Sequence, residues 1–138
     1  MKKRLVLAAI GLSILSGPAL ANPERQAILN QLATQAKQQD KAFSAFSAEQ
    51  GQAFFMAKQT GGKAETPSCT TCHTNDPKTA GQTKAGKEIK PMAVSKNPTR
   101  FTDAAEVEKW FGRNCNQVLG RECTAAEKGN VITYLMNQ

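Results

Sequence analysis

The segment Cys69-Thr70-Thr71-Cys72-His73 carries two thiols and an imidazole at the C-x-x-C-H spacing that binds a c-type haem, through two thioethers and one iron ligand. A chain committed to that group must fold around a large, flat, apolar body. His73 is the only histidine present, so the iron's other axial ligand cannot be a second histidine. A C-x-x-C pair alone also serves zinc and thiol exchange. Zinc asks for further ligands that this chain does not supply nearby, and a redox dithiol has no use for His73.

Lys2, Lys3 and Arg4 precede an apolar run from Leu5 to Leu15 and the small-residue exit Ala19-Leu20-Ala21. This is the pattern of a cleaved secretory signal, and the run is too short to cross a bilayer. Residues 1–21 are therefore read as a signal peptide, with a periplasmic mature chain of 117 residues and no membrane span. Export leads to a compartment where disulfides persist. With Cys69 and Cys72 used by the haem, Cys115 and Cys123, with seven residues between them, are most economically paired as a disulfide.

The whole chain carries a net charge of +7, but three basic residues lie in the signal. The remainder has 15 basic against 11 acidic residues, or +4. Lys78, Lys84, Lys87, Lys90 and Lys96 are strung along one loop-like stretch and read as a solvated rim facing a redox partner. No basic stripe with interleaved aromatics points to nucleic acid. Eight aromatic residues are few for a core, which a haem would complete.

No segment with a strand period competes with the helical ones, and an all-α fold is expected, that of a class I cytochrome c with its N- and C-terminal helices packed around the haem. Pro23 suits a first turn, and Ile28, Leu29, Leu32 and Ala36 continue a helical stripe to about Gln39. Ser47 opens a capping box with Gln50, followed by Gly51, Phe54 and Phe55 on one face, in a helix expected to reach Gly61-Gly62. Residues 74–102 show no period and read as loop around the haem edge. Asp103 with Glu106 starts a helix whose apolar stripe is Val107, Trp110 and Phe111. Thr124 and Glu127 cap a closing helix bearing Val131, Ile132, Tyr134 and Leu135. Residues 22–46 are read as an N-terminal helical extension and 47–138 as the monohaem domain. The helix before the haem motif is expected to cross the C-terminal helix at Gly51, with Phe54 or Phe55 meeting Tyr134 and Leu135.

Two residues compete for the sixth position. Met92 follows Pro91 in the loop, and a thioether would make an ordinary His/Met electron carrier, although 19 residues from His73 is a short path around the macrocycle. Asn114 continues the stripe of Val107, Trp110 and Phe111 at i+7. An amide on an apolar face requires a partner, which iron can be. The competing reading has the helix fraying early and Asn114 serving as its cap. Cys115 favours the ligand, because a short disulfide would hold the neighbouring side chain in a defined place.

The chain resembles the SHP cytochromes c, small exported class I monohaem proteins that bind oxygen, and their bis-histidine relative cytochrome c double prime. The resemblance rests on the C-x-x-C-H motif, Gly86-Lys87-Glu88-Ile89-Lys90-Pro91-Met92 and Asn97-Pro98-Thr99-Arg100-Phe101-Thr102-Asp103. It continues through Val107-Glu108-Lys109-Trp110-Phe111, Arg113-Asn114-Cys115, Val118-Leu119-Gly120-Arg121, Cys123-Thr124 and Glu127-Lys128-Gly129, across about residues 47–138. It implies thioethers at Cys69 and Cys72, His73 as proximal ligand, Asn114 as sixth ligand, and a Cys115–Cys123 disulfide. Met92 then becomes a loop feature. It also implies that Asn114 leaves on reduction, that O2, NO or CO can bind, and that electrons come from a dihaem cytochrome c. An amide oxygen suits ferric iron better than ferrous, which agrees with such a switch.

The expected protein is thus a one-electron carrier and diatomic-ligand-binding haem protein, a monomer or weak dimer, and not an enzyme. Dedicated reduction of small oxygen or nitrogen species would ask for acid–base groups over the iron, and no distal histidine exists. Arg100, Arg113 and Lys90 are cations suited to propionates, without individual assignment.

Overall fold

The computed structural model describes residues 22–138; the segment read as a signal, residues 1–21, lies outside the described residues. In chain order the described residues form α1 (Pro23–Gln39), α2 (Ala48–Met56), α3 (Thr70–His73), β1 (Gly81–Gln82), β2 (Glu88–Ile89), α4 (Ala104–Leu119) and α5 (Ala125–Met136). The fold is helical, as expected. The antiparallel β1–β2 hairpin pairs Gly81 with Ile89 and was not anticipated, because strands of two residues leave no period to read.

Each long helix starts at a side-chain cap. Asn22, Ser47 and Asp103 accept hydrogen bonds from the backbone N–H of Arg25, Gln50 and Glu106, and Thr124 with Glu127 forms a complete capping box. Glu106 does not return to its cap as the pattern suggested. Its carboxylate instead accepts from Lys109 Nζ at 2.8 Å and Trp110 Nε1 at 2.7 Å. α2 also ends earlier than expected, at Met56 instead of near Gly61-Gly62. The chain there leaves the helix and is tied elsewhere, by Gln59 N–H to Pro67 O at 2.7 Å and by Lys63 N–H to Gln117 O at 2.7 Å.

α2 and α5 form the most extensive helix contact, and α1 packs on α5. The first contact is possible because Gly51 has no side chain: a Cβ there would lie 2.0 Å from the carbonyl oxygen of Asn130. Asn130 fixes the register, accepting from Ser47 N–H at 2.8 Å and donating to Gln50 Oε1 at 3.1 Å. The crossing brings Phe55 to Tyr134, with ring centroids 5.8 Å apart. Phe55, Val131, Tyr134 and Leu135 form one apolar cluster. A second joins Ile28, Leu29, Leu32 and Ala36 of α1 to Val107, Ala125 and Ile132, so α1 shares a core with α4 and α5. Gln39 strengthens that union by accepting from Ala125 N–H at the start of α5, at 3.0 Å.

Gly51→Ala is expected to destabilise the haem-loaded protein by about 3 kcal/mol, the upper part of the overpacking range, because backbone cannot yield as a side chain can. Denaturant unfolding measures this, and a loss below about 0.5 kcal/mol would contradict so close a crossing.

Candidate haem site

The haem motif occupies a single short helical turn, α3, whose geometry is set by its neighbours. Ser68 Oγ is buried, donates to the carbonyl of Phe55 at 3.3 Å and accepts from Thr70 N–H at 3.3 Å, so the turn is fastened to the end of α2. His73 N–H donates to Cys69 O at 3.1 Å, and Thr74, at φ 64°, ends the turn. β1 lies so close on its far side that a Cβ at Gly81 would be 2.0 Å from the carbonyl oxygen of Cys72.

His73 stands against Phe55, with ring centroids 6.3 Å apart, and its buried Nδ1 has no hydrogen-bond partner among the described residues. Burial, with help from the Arg100 charge, pushes its pKa down to about 4. The imidazole is therefore neutral at physiological pH, the form that donates a lone pair to a metal. Cys69 and Cys72 are unpaired thiols. Burial, with a smaller contribution from Cys72 and against a backbone hydrogen bond, pushes the Cys69 pKa up to about 11. An activated redox dithiol has its pKa lowered, so the shift runs against thiol exchange.

Met92 is half-buried against the Phe55–Tyr134 cluster, as is Cys69. Its backbone N–H and that of Ala93 both donate to Pro77 O, at 2.9 and 2.8 Å. Asn114 lies within α4, five residues before its last residue, so it does not cap the helix. It is half-buried, and its side chain makes no hydrogen bond among the described residues. Cys115 beside it is buried and bonded to Cys123, with Cα atoms 5.6 Å apart. The stripe expected around Asn114 is only partly right. Val107 is buried and Phe111 half-buried, but Trp110 is 45 % exposed, drawn outward by Glu106 and lying under the Lys109 and Arg113 cations. Its polar edge found partners on the helix surface, which period alone does not reveal.

Two thiols, a neutral half-buried imidazole and neighbouring aromatic rings fit a covalently held, apolar macrocycle. So does α4, which shares no extensive interface with another helix and leaves Asn114 half-buried while Phe111 packs against both apolar clusters. Among the described residues no three His, Cys, Asp or Glu side chains gather as a closed metal site would need. A helix pair crossing on glycine, with C-x-x-C-H fastened to the end of the first helix, defines a small c-type cytochrome.

Comparison with known proteins narrows the class. The family model described as a domain of unknown function, DUF1924, matches residues 41–135. Cytochrome c-type protein SHP of Cereibacter sphaeroides is 49% identical over 138 residues, covering 100% of both chains. Cytochrome c'' of Methylophilus methylotrophus is 34% identical, covering 100% of this chain and 96% of the relative. The solved structure of oxidised SHP, described as an oxygen-binding cytochrome c, superposes with a TM-score of 0.76 at 48% identity, over 83% of this chain and 96% of that one. The chain belongs to the family of SHP and cytochrome c'', and its cofactor is one covalently bound haem c.

Sequence reading did not single out Ser68 or Arg25. Arg25 acts on backbone more than seventy residues away and Ser68 on the end of α2, contacts that no helical period signals. The Cys115–Cys123 bond closes a short loop, and replacing both residues by alanine is expected to cost about 2–3 kcal/mol on loop-closure entropy. Chemical denaturation of the haem-loaded variant measures the loss, which a value near zero would contradict.

Proposed function

We propose that this protein is an exported, periplasmic one-electron cytochrome whose ferric form is ligated by His73 and Asn114, and in which Asn114 withdraws on reduction to admit O2 or NO. Cys69 and Cys72 carry the haem through thioethers, and His73 is the proximal ligand. When bound, haem c supplies a one-electron iron couple and, with one axial position free, a seat for a diatomic gas.

The observation that carries the reading is the state of Asn114. It is a half-buried amide in the body of α4, without a hydrogen-bond partner among the described residues, beside a disulfide-bonded cysteine. A half-buried amide oxygen with no protein donor is free to give a lone pair to iron. Its oxygen is a hard donor, so its hold weakens when iron gains an electron. The oxygen-binding description of the SHP relative agrees. Met92 takes a packing role in this reading, consistent with its contact with the Phe55–Tyr134 cluster. Lys78, Lys84, Lys87, Lys90 and Lys96 are all exposed and supply a cationic rim for an acidic redox partner, a dihaem cytochrome c. The protein works as a carrier and gas-binding protein without dedicated turnover.

Asn114→Ala is expected to change the ferric optical and EPR spectra to those of an open or water-ligated haem, while the reduced variant still binds CO. Unchanged ferric coordination would overturn the assignment. In Met92→Ala the ferric spectrum should persist; loss of a low-spin methionine signature would establish the His/Met carrier instead.

A further inference from the structure

Two arginines of this chain are turned inward, and they are linked. Arg25 of α1 is 1 % exposed, and it donates from Nε to the carbonyl of Arg100 at 3.0 Å and from Nη2 to that of Pro98 at 2.6 Å. These carbonyls belong to a turn that also holds itself, through Arg100 N–H to Asn97 O at 3.0 Å and Thr102 Oγ1 to Thr99 O at 2.8 Å. The peptide gripped by Arg25 leads into Phe101 at φ 60°, a left-handed conformation that a bulky residue keeps only when its surroundings impose it. In that conformation Phe101 packs against both apolar clusters.

The same turn sends the Arg100 guanidinium to the loop that carries Met92. Nε donates to Pro91 O at 3.1 Å and Nη2 to Lys90 O at 2.6 Å, just before Met92. Arg100 is half-buried, yet among the described residues no carboxylate pairs with it; the ion pairs there are Lys109–Glu106, Arg121–Glu127 and Lys128–Glu108. The two carbonyls use two of a guanidinium's five donors. Hydrogens remain on both terminal nitrogens, the fork that takes a carboxylate in two parallel bonds. A half-buried cation with a free fork and no carboxylate partner suits an anion, and haem c brings two propionates.

We propose that Arg100 binds a haem propionate and that Arg25 is the positioning residue that aims it, which makes α1 part of the haem site although the family model begins at residue 41. The proposal rests on the covalent haem and not on the identity of the sixth ligand. A cation at this carboxylate disfavours the more positive ferric state, so its loss lowers the reduction potential.

The test uses haem-loaded Arg100→Gln, Arg25→Met and the double variant. It reads the reduction potential, the resonance Raman propionate bending band and the ferric EPR spectrum. Arg100→Gln should lower the potential and shift the band. Arg25→Met should do both to a smaller extent, and the double variant should go no further than Arg100→Gln. A wild-type potential and band in Arg100→Gln would overturn the propionate contact. Reduced thermal stability with unchanged potential and band in Arg25→Met would overturn the positioning role. If Arg100→Gln does not accumulate with haem, Arg100→Lys serves: the retained charge should keep the potential near wild type while loss of the fork shifts the band, and an unshifted band would overturn the contact. Ferric EPR reads Asn114 ligation separately, so failure of that assignment would leave this one standing.

Discussion

Where α2 crosses α5, the backbone of one helix rests on the other with no side chain between them. Gly51 makes this possible, because any Cβ would enter the Asn130 carbonyl, and the Asn130 side chain then locks the register through Ser47 and Gln50. The haem site inherits its geometry from that contact. It sets Phe55 against Tyr134 on one side and His73 on the other, while the carbonyl of Phe55 takes the hydroxyl of Ser68 at the start of the haem turn. A displacement of α5 would therefore be felt at His73 within two contacts. Packed interiors transmit such changes instead of absorbing them.

Much of this was legible because it is local. Ser47, Asp103 and Thr124 announce helix starts by interactions that span three residues, and Gly51 beside Phe54 and Phe55 marks a face on which a second helix can come close. Features decided by distant partners were not legible. α2 stops at Met56 and the chain beyond is tied elsewhere, Gln59 to Pro67 and Lys63 to Gln117, and Trp110 leaves its stripe because Glu106, Lys109 and Arg113 offer its ring better company outside. Arg25 is the clearest case. In sequence it is one polar residue among the glutamines of α1, and in the fold its buried guanidinium bonds a turn more than seventy residues away.

The two sides of the site are held by different means. The His73 side is held by the α2–α5 crossing and by Ser68. Asn114 depends on α4, which is fixed chiefly near its ends. At the N-terminal end stand the Asp103 cap and the turn gripped by Arg25; at the C-terminal end stand the Cys115–Cys123 bond and the Lys63 hydrogen bond to Gln117. Under the proposed ligation this arrangement selects how the amide leaves. With both ends of α4 anchored, withdrawal of the helix would have to pull the disulfide-closed loop out of place and strip Phe111 from the two apolar clusters it joins. Rotation of Asn114 about its own side-chain bonds does neither. Exchange between staggered rotamers is also fast compared with helix movement, so the switch requires no refolding of the scaffold that holds His73.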